Sequence, residues 1–429
     1  MKDSVSFDEA RWFLESNKLV FGPSVISITG DAHRKQRKML NPAFSTDHMR
    51  LMTPMFYGIS RKQLRDAVLF EVKDGPREVD MFHWMARTAL ELIGQGGLGC
   101  SLDPLAPGAE SNPFGDALKA FMPLLHSVGT LRSFSHYLEY FGSLSFRRKL
   151  VDMSPHRDLR KLADAVDRLS FMSKDVLEKK KQALRDGGDA LREQIGEGKD
   201  IMSILLKANM MSGVDDCLTE DEVTAQMATL VFAATDTTST ALVQILQSLA
   251  EHPEAQDELR TQIQSSAQGG DIPYDELMAL PSTRETILPF FEPIRGKDGV
   301  LMKEVTVPKH TQLFIAVRAL NRSMAIWGED AHEWKPERWL SPLPKTVTQA
   351  RIPGVYSNLM TFLGGGRSCI GFKFSQTEMK VILSTLLQDF KFSLPQNKNG
   401  VVWNSAGVIY PTVGKDSTQP SFPMTVERV

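Results

Sequence analysis

Cysteine is scarce: three residues in 429, at Cys100, Cys217 and Cys369. Cysteines so few and so scattered exclude a disulfide framework and a cysteine-built structural zinc site, and they point to a reducing compartment. Long apolar runs are missing too. Nowhere do about 18 apolar residues follow one another, the length that a membrane-spanning helix needs. The opening stretch, MKDSVSFDEARWF, carries acidic residues where a signal peptide carries its apolar core, so the chain as written reads as soluble. Neither charge is in excess. The 50 basic and 52 acidic residues leave a net charge of −2, which gives no electrostatic footprint for a nucleic acid partner. Internal repeats and low-complexity tracts are absent.

What is present is an ordinary globular composition, 42% hydrophobic and 24% charged. The length is enough for about three domains of about 150 residues, or for one large one. Helical periodicity dominates. Leu159, Leu162, Val166, Leu169, Val176 and Leu177 recur at three- to four-residue intervals, the spacing of an amphipathic helix, which Gly187 and Gly188 stop. EQIGEGKD and SAQGGDIP read as surface connections. Between them, the longest helix is expected from Glu220 to about Glu251, with Thr219 and Glu222 as a capping box and Pro253 opening the next helix. Strand signals come late, in EVTVPKHTQLFIAV and in FKFSL, where Phe390, Phe392 and Leu394 alternate. The expected class is mainly α with small β-sheets.

One cysteine stands in unusual surroundings. FLGGGRSCIG, residues 362 to 371, is a glycine-rich loop, and the helix after it carries Met379, Ile382, Leu383, Leu386 and Leu387 on an apolar stripe. A thiolate beside a helix N-terminus is stabilised by the dipole and by unpaired backbone N–H groups. Glycines let the backbone take positive φ and let a flat ligand approach closely. Taken alone, the loop fits either an axial haem ligand or a structural cysteine in a tight turn.

The spacing goes further. Phe362, Gly365, Arg367, Cys369 and Gly371 fit F-x-x-G-x-R-x-C-x-G, which resembles the haem-binding signature of the cytochromes P450, the haem-thiolate monooxygenases. The resemblance is to fungal microsomal-type members and covers almost the whole chain. It implies one large domain over residues 1–429, with a long central helix and a cysteine loop before a C-terminal helix. It also implies haem b (iron protoporphyrin IX) on Cys369, with Arg367 pairing a propionate, Phe362 beside the sulfur, and Gly365 and Gly371 giving clearance. Electrons would come from NADPH through NADPH-cytochrome P450 reductase, and one oxygen atom of dioxygen would enter an apolar small-molecule substrate. The family's usual location is the cytosolic face of the endoplasmic reticulum membrane. Without an anchor, this chain is expected to be cytoplasmic or peripheral.

Two further segments fall into place beside that loop. FAATDTTST, residues 232 to 240, interrupts an apolar helix with polar residues, and Thr237 and Thr238 can bond back to carbonyls one turn earlier. On its own it reads as a kink in a core helix. It is similar to the family's [AG]-G-x-[DE]-T-T pattern, with Ala233, Thr235, Asp236, Thr237 and Thr238 in register and Ala234 where glycine is usual. The resemblance makes Asp236 and Thr237 a relay that brings protons into an otherwise dry pocket. HRKQRK, residues 33 to 38, reads as a solvated helix face with His33 and Arg37 one turn apart. The resemblance sends those two to a haem propionate and leaves Arg34, Lys35 and Lys38 outward as a docking surface for an acidic redox partner.

The family pattern is broken in one place. WKPERW, Trp334 to Trp339, matches P-E-R-[FW], whose arginine, here Arg338, normally joins a Glu and an Arg of an earlier E-x-x-R helix. In the expected place the sequence reads LPSTRETILPFFEPIRGKDG. After Glu285, Leu288 stands where the arginine belongs and Pro289 ends any helix. Glu292-Pro-Ile-Arg295 matches the letters only, being proline followed by a turn. The domain is thus expected to be incomplete around 281–289 as well as at its N-terminus. A buried arginine stripped of its partner typically costs 3–5 kcal/mol, a large part of the usual 5–15. The sequence therefore predicts poor haem retention. It leaves as an alternative a haem-poor splice form or remnant acting, if at all, as a helical binding protein.

Overall fold

The structure is a computed structural model that describes residues 9–105, 121, 123–140, 142, 144–186, 198–213, 217–267, 294–295, 301–302, 315–350, 352–395, 400–405, 408–417 and 419–429. Tertiary contacts divide the chain into two compact units, the larger Arg11–Leu277 with Lys373–Val429, the smaller Met1–Ala10 with Met278–Phe372. The elements that carry the argument begin with α1 (Arg11–Phe21), α2 (Gly30–Leu40), α3 (Thr46–Ile59), β1 (Arg77–Asp80) and α4 (Met81–Ile93). There follow α5 (Arg157–Asp186), α6 (Ile201–Met211), α7 (Glu220–Glu251), α8 (Pro253–Ala267), β2 (Gly354–Tyr356) and β3 (Leu359–Gly364). The chain closes with α9 (Phe372–Asp389), β4 (Phe390–Ser393), β5 (Val401–Ser405), β6 (Ile409–Val413) and β7 (Pro423–Arg428).

The larger unit is built around α7. The Thr219 hydroxyl accepts from the Glu222 amide at 3.2 Å while the Glu222 carboxylate accepts from the Thr219 amide at 2.9 Å, a complete capping box. From there 32 residues run without a break. The Thr235 hydroxyl donates to the Val231 carbonyl at 2.8 Å and the Thr237 hydroxyl to Ala233 at 2.6 Å, so Thr237 bonds back as expected, whereas Thr238 donates to Glu378 instead and the helix runs on without the expected kink. α7 packs along α4 and also meets α1, α5, α8 and β4. Of the stripe expected on α5, Leu162, Leu169, Val176 and Leu177 are buried, and Leu159 and Val166 are packed at the edge of the same core. Phe232 of α7 joins that core, its ring centroid 4.8 Å from Phe21 and 5.2 Å from Phe121.

A three-stranded antiparallel sheet of order β1-β7-β4 pairs Val79 with Met424 and Phe392 with Val426, and all four side chains are buried. The expected alternation stops early, because β4 ends at Ser393 and Leu394 is exposed. The apolar stripe on α9 is also wider than expected. Glu378, Val381, Ser384 and Thr385 are buried with Ile382, Leu386 and Leu387, while Met379 and Leu383 are only half-buried. No helix among the described residues is long and apolar enough to cross a membrane.

The smaller unit has its own core of Ile326, Trp327, Val347, Ile352 and Met360, with Trp339 packed against it. Arg338 lies in a short 3-10 helix, Pro336–Trp339. Its guanidinium pairs with the Asp330 carboxylate at 2.9 Å and donates to the carbonyls of Trp327 and Asp330, each at 3.0 Å. The unpaired-charge penalty expected at Arg338 does not arise, because a nearby acid and two carbonyls occupy the guanidinium. Glu285, Leu288, Pro289 and Glu292 lie outside the described residues, as do residues 304–314 of the expected strand pair. The backbone of Arg295 forms a two-residue antiparallel bridge opposite Leu301, so this end of the literal E-x-x-R match is not helical.

Candidate functional site

The cysteine loop is the end of a hairpin. β2 and β3 are joined by Ser357 and Asn358, both left-handed at φ 51° and 53°. That is the two-residue turn whose twist suits adjoining strands. Gly354 and Gly364 pair across the hairpin, and a Cβ on either would overlap an opposing carbonyl, that of Leu359 or of Pro353. The chain then turns sharply. Leu363 (φ 57°) and Gly365 (φ 71°) are both left-handed, the first a strained state for a residue with a side chain. The turn is held by the Ser368 amide on the Gly365 carbonyl at 3.1 Å and by the Cys369 amide on the Phe362 carbonyl at 2.9 Å. Gly364→Ala is expected to lower the unfolding free energy by about 1–3 kcal/mol, the range for overpacking. Gly366→Ala, where a Cβ meets nothing within 4 Å, should change it far less. Thermal melts of the two variants compare them directly.

In this arrangement the Cys369 side chain is exposed, Arg367 is half-buried beside it, and Gly365 and Gly366 leave the outer face of the loop open. The Phe362 ring is half-buried, packed edge-on to Tyr356 with centroids 6.1 Å apart and also 6.1 Å from Phe372. Cys369 stands just before α9, whose first residue is Phe372. Phe362, Gly365, Arg367, Cys369 and Gly371 are therefore brought together on one turn. An exposed thiol on a glycine-opened face, with a cation two residues away, fits a flat anionic macrocycle whose metal takes one sulfur ligand.

The remaining site residues belong to the larger unit. On α7, Ala233 and Thr237 lie one turn apart on an exposed stripe, whereas Asp236 points into the protein. Asp236 is buried, and among the described residues no hydrogen bond reaches its carboxyl; burial alone pushes its pKa up to about 7. Asp236 and Thr237 thus adjoin along the chain but face different surroundings. On α2, His33 is buried and Arg37 half-buried.

The outward docking face expected on α2 needs correction at Lys35. Its ammonium donates to the Cys217 carbonyl at 2.8 Å, which leaves Arg34 and Lys38 as the exposed cations of the run. Gln36, in the middle of that run, was not anticipated. It is fully buried, donating to the Pro23 carbonyl at 2.9 Å and to the Glu222 carboxylate at 3.1 Å, and accepting from Gln226 at 2.7 Å. Through Gln36, α2 is fastened to the first turns of α7. A neutral amide among five basic or titratable neighbours was the available signal.

The family model for cytochrome P450 matches residues 1–413. The chain belongs to the cytochrome P450 family. It is 49% identical to cytochrome P450 monooxygenase 212 of Postia placenta over 448 residues, covering 99% of this chain and 82% of that one. It is 40% identical to the ganoderic acid synthetase of Ganoderma lucidum over 455 residues, covering 100% of this chain and 82% of the relative. These alignments run over more positions than the 429 that this P450 possesses, so the relatives carry residues with no counterpart here. A crystal structure of a cytochrome P450 matches with a TM-score of 0.68 at 18% identity, covering 99% of this chain and 85% of that one, a likeness of fold. The chain is thus a P450 monooxygenase with haem as its cofactor.

Proposed function

We propose that Cys369 is the axial thiolate of the haem and that this P450 oxygenates an apolar organic small molecule, drawing electrons from NADPH through a P450 reductase. The observation that carries the reading is the Cys369 turn, which presents a thiol on an open, glycine-lined face. Bound there, haem supplies the activation of dioxygen, and a thiolate ligand favours O–O cleavage. Arg367, His33 and Arg37 provide cationic or hydrogen-bonding partners for the propionates.

The protein's own task is proton supply. A carboxyl with a pKa of about 7 is near half-protonated at neutral pH, so Asp236 can both hold and yield a proton there. Thr237 stands on the exposed stripe with its hydroxyl donating to Ala233 at 2.6 Å. Rotating that hydroxyl away from the carbonyl frees it to pass a proton. Thr237→Ala is expected to divert reducing equivalents to peroxide. Unchanged product per NADPH would remove Thr237 from the relay.

The test of the whole reading is spectroscopic. The purified, reduced protein with carbon monoxide should show the strongly red-shifted band of thiolate-ligated haem. A haem-free preparation after haem-supplemented expression would favour the haem-poor helical remnant, and an unshifted band would mean that the ligand is not the Cys369 thiolate.

A further inference from the structure

Glu378, in the second turn of α9, is fully buried. Its Oε1 accepts a hydrogen bond from the Thr238 hydroxyl at 2.7 Å, and Thr238 also lies 3.4 Å from the Ser375 hydroxyl. Among the described residues, its Oε2 is buried with no partner and no cation pairs with the group. Of the lysines nearest in sequence on α9, Lys373 donates to the Thr46 hydroxyl at 2.9 Å, and Lys380 has its own pKa lowered by burial. An ionised carboxylate cannot be kept in such a place without a counter-charge. Burial accordingly raises the Glu378 pKa well above the usual carboxylate range. As a neutral acid, Glu378 carries an O–H on the oxygen that lacks a protein partner, and buried polar atoms of this kind are commonly satisfied by an internal water.

Thr238 directly follows Asp236 and Thr237 on α7. We propose that Glu378 is a positioning residue: as a neutral carboxylic acid it clamps Thr238, with Ser375 alongside, and so fixes the α7 segment that bears Asp236 and Thr237 against α9, while its second oxygen holds a buried water. The consequence for proton delivery rests on the roles proposed above for Asp236 and Thr237; the clamp itself does not.

Infrared difference spectroscopy of the purified protein at neutral pH tests the clamp without turnover. Glu378→Gln should remove one carboxylic-acid carbonyl band, and Thr238→Val should shift that band, because it loses its hydrogen-bond donor. In the turning-over enzyme, Thr238→Val and Glu378→Leu should raise the peroxide fraction several-fold with KM little changed. Glu378→Gln, whose amide carbonyl can still accept from Thr238, should restore much of the coupling that Glu378→Leu loses. Absence of the band, or a band that Thr238→Val leaves unmoved, would overturn the clamp, and wild-type coupling in Thr238→Val would overturn its consequence for proton delivery. A protein that shows the band and its shift but binds no haem would keep the clamp and discard the functional reading.

Discussion

Replacing Cys369 by serine is expected to abolish the red-shifted carbon monoxide band and all product formation, while the haem-free protein unfolds within about 0.5 kcal/mol of the wild type, the usual range for surface substitutions. The two halves of this expectation have separate causes. The side chain is exposed, so exchanging sulfur for oxygen opens no cavity. The bond that closes the turn runs from the Cys369 amide to the Phe362 carbonyl at 2.9 Å, and a serine amide makes it equally well. Gly354 and Gly364 shape the hairpin whatever follows them. The chemical loss is nearly complete because a serine hydroxyl does not ionise near neutral pH and is too hard a donor to replace a thiolate. Stability is to be compared without haem, since a ligand that binds only the folded state raises apparent stability by itself. A persisting red-shifted band would remove Cys369 as the ligand. A variant that melts far below the wild type would mean that the thiol has packing partners and that the turn is not self-sufficient.

What the sequence disclosed here depended on whether the determining contact was local. The capping box at Thr219 and Glu222, the proline start of α8 and the period of α5 are settled within a few residues, and each is where periodicity and capping put it. The cysteine turn was legible for a related reason: its five specified residues lie within ten positions and serve one short stretch of backbone. Its support was not legible. Ser357 and Asn358 form a left-handed turn that serine seldom adopts, and the need for glycine at 354 and 364 follows from strand register. Contacts distant in sequence were the harder case. Lys35 and Gln36 read as parts of a solvated basic face, yet the first bonds Cys217 and the second bonds Glu222 and Gln226. Arg338 was expected to suffer for a missing helix, yet it pairs with Asp330 only a short way back in the chain. Glu378 is the sharpest example. One acid on an apolar helix looks like the solvent side, and only the fold shows it buried against Thr238.

Asp236→Asn is expected to make the protein more stable and less active, with the gain growing from about pH 4 to its full size at about pH 7. Burial raises the Asp236 pKa from 3.8 to about 7. Below about pH 4 the carboxyl is protonated in both folded and unfolded chains and contributes nothing to their difference. Between about pH 4 and 7 the unfolded chain ionises while the folded one keeps its proton, so the wild type loses stability as pH rises. Above about pH 7 both forms are ionised and the penalty is complete. At about 1.4 kcal/mol per pKa unit, a shift of about three units amounts to roughly 4 kcal/mol. Asparagine has no proton to lose and no such penalty. The two proteins should therefore melt alike near pH 4 and diverge up to about pH 7, with the variant higher, and the gap should then stay constant. Asparagine also cannot hand on a proton, and general acid–base groups are typically worth about 10²–10⁴-fold in rate, so product formation should fall by at least that lower figure. The stability half needs no haem and can be measured on the chain as purified. Parallel melting curves across this range would mean that Asp236 is solvated and ionised like a surface carboxylate, and the proton relay would then lose the property that suits it to neutral pH.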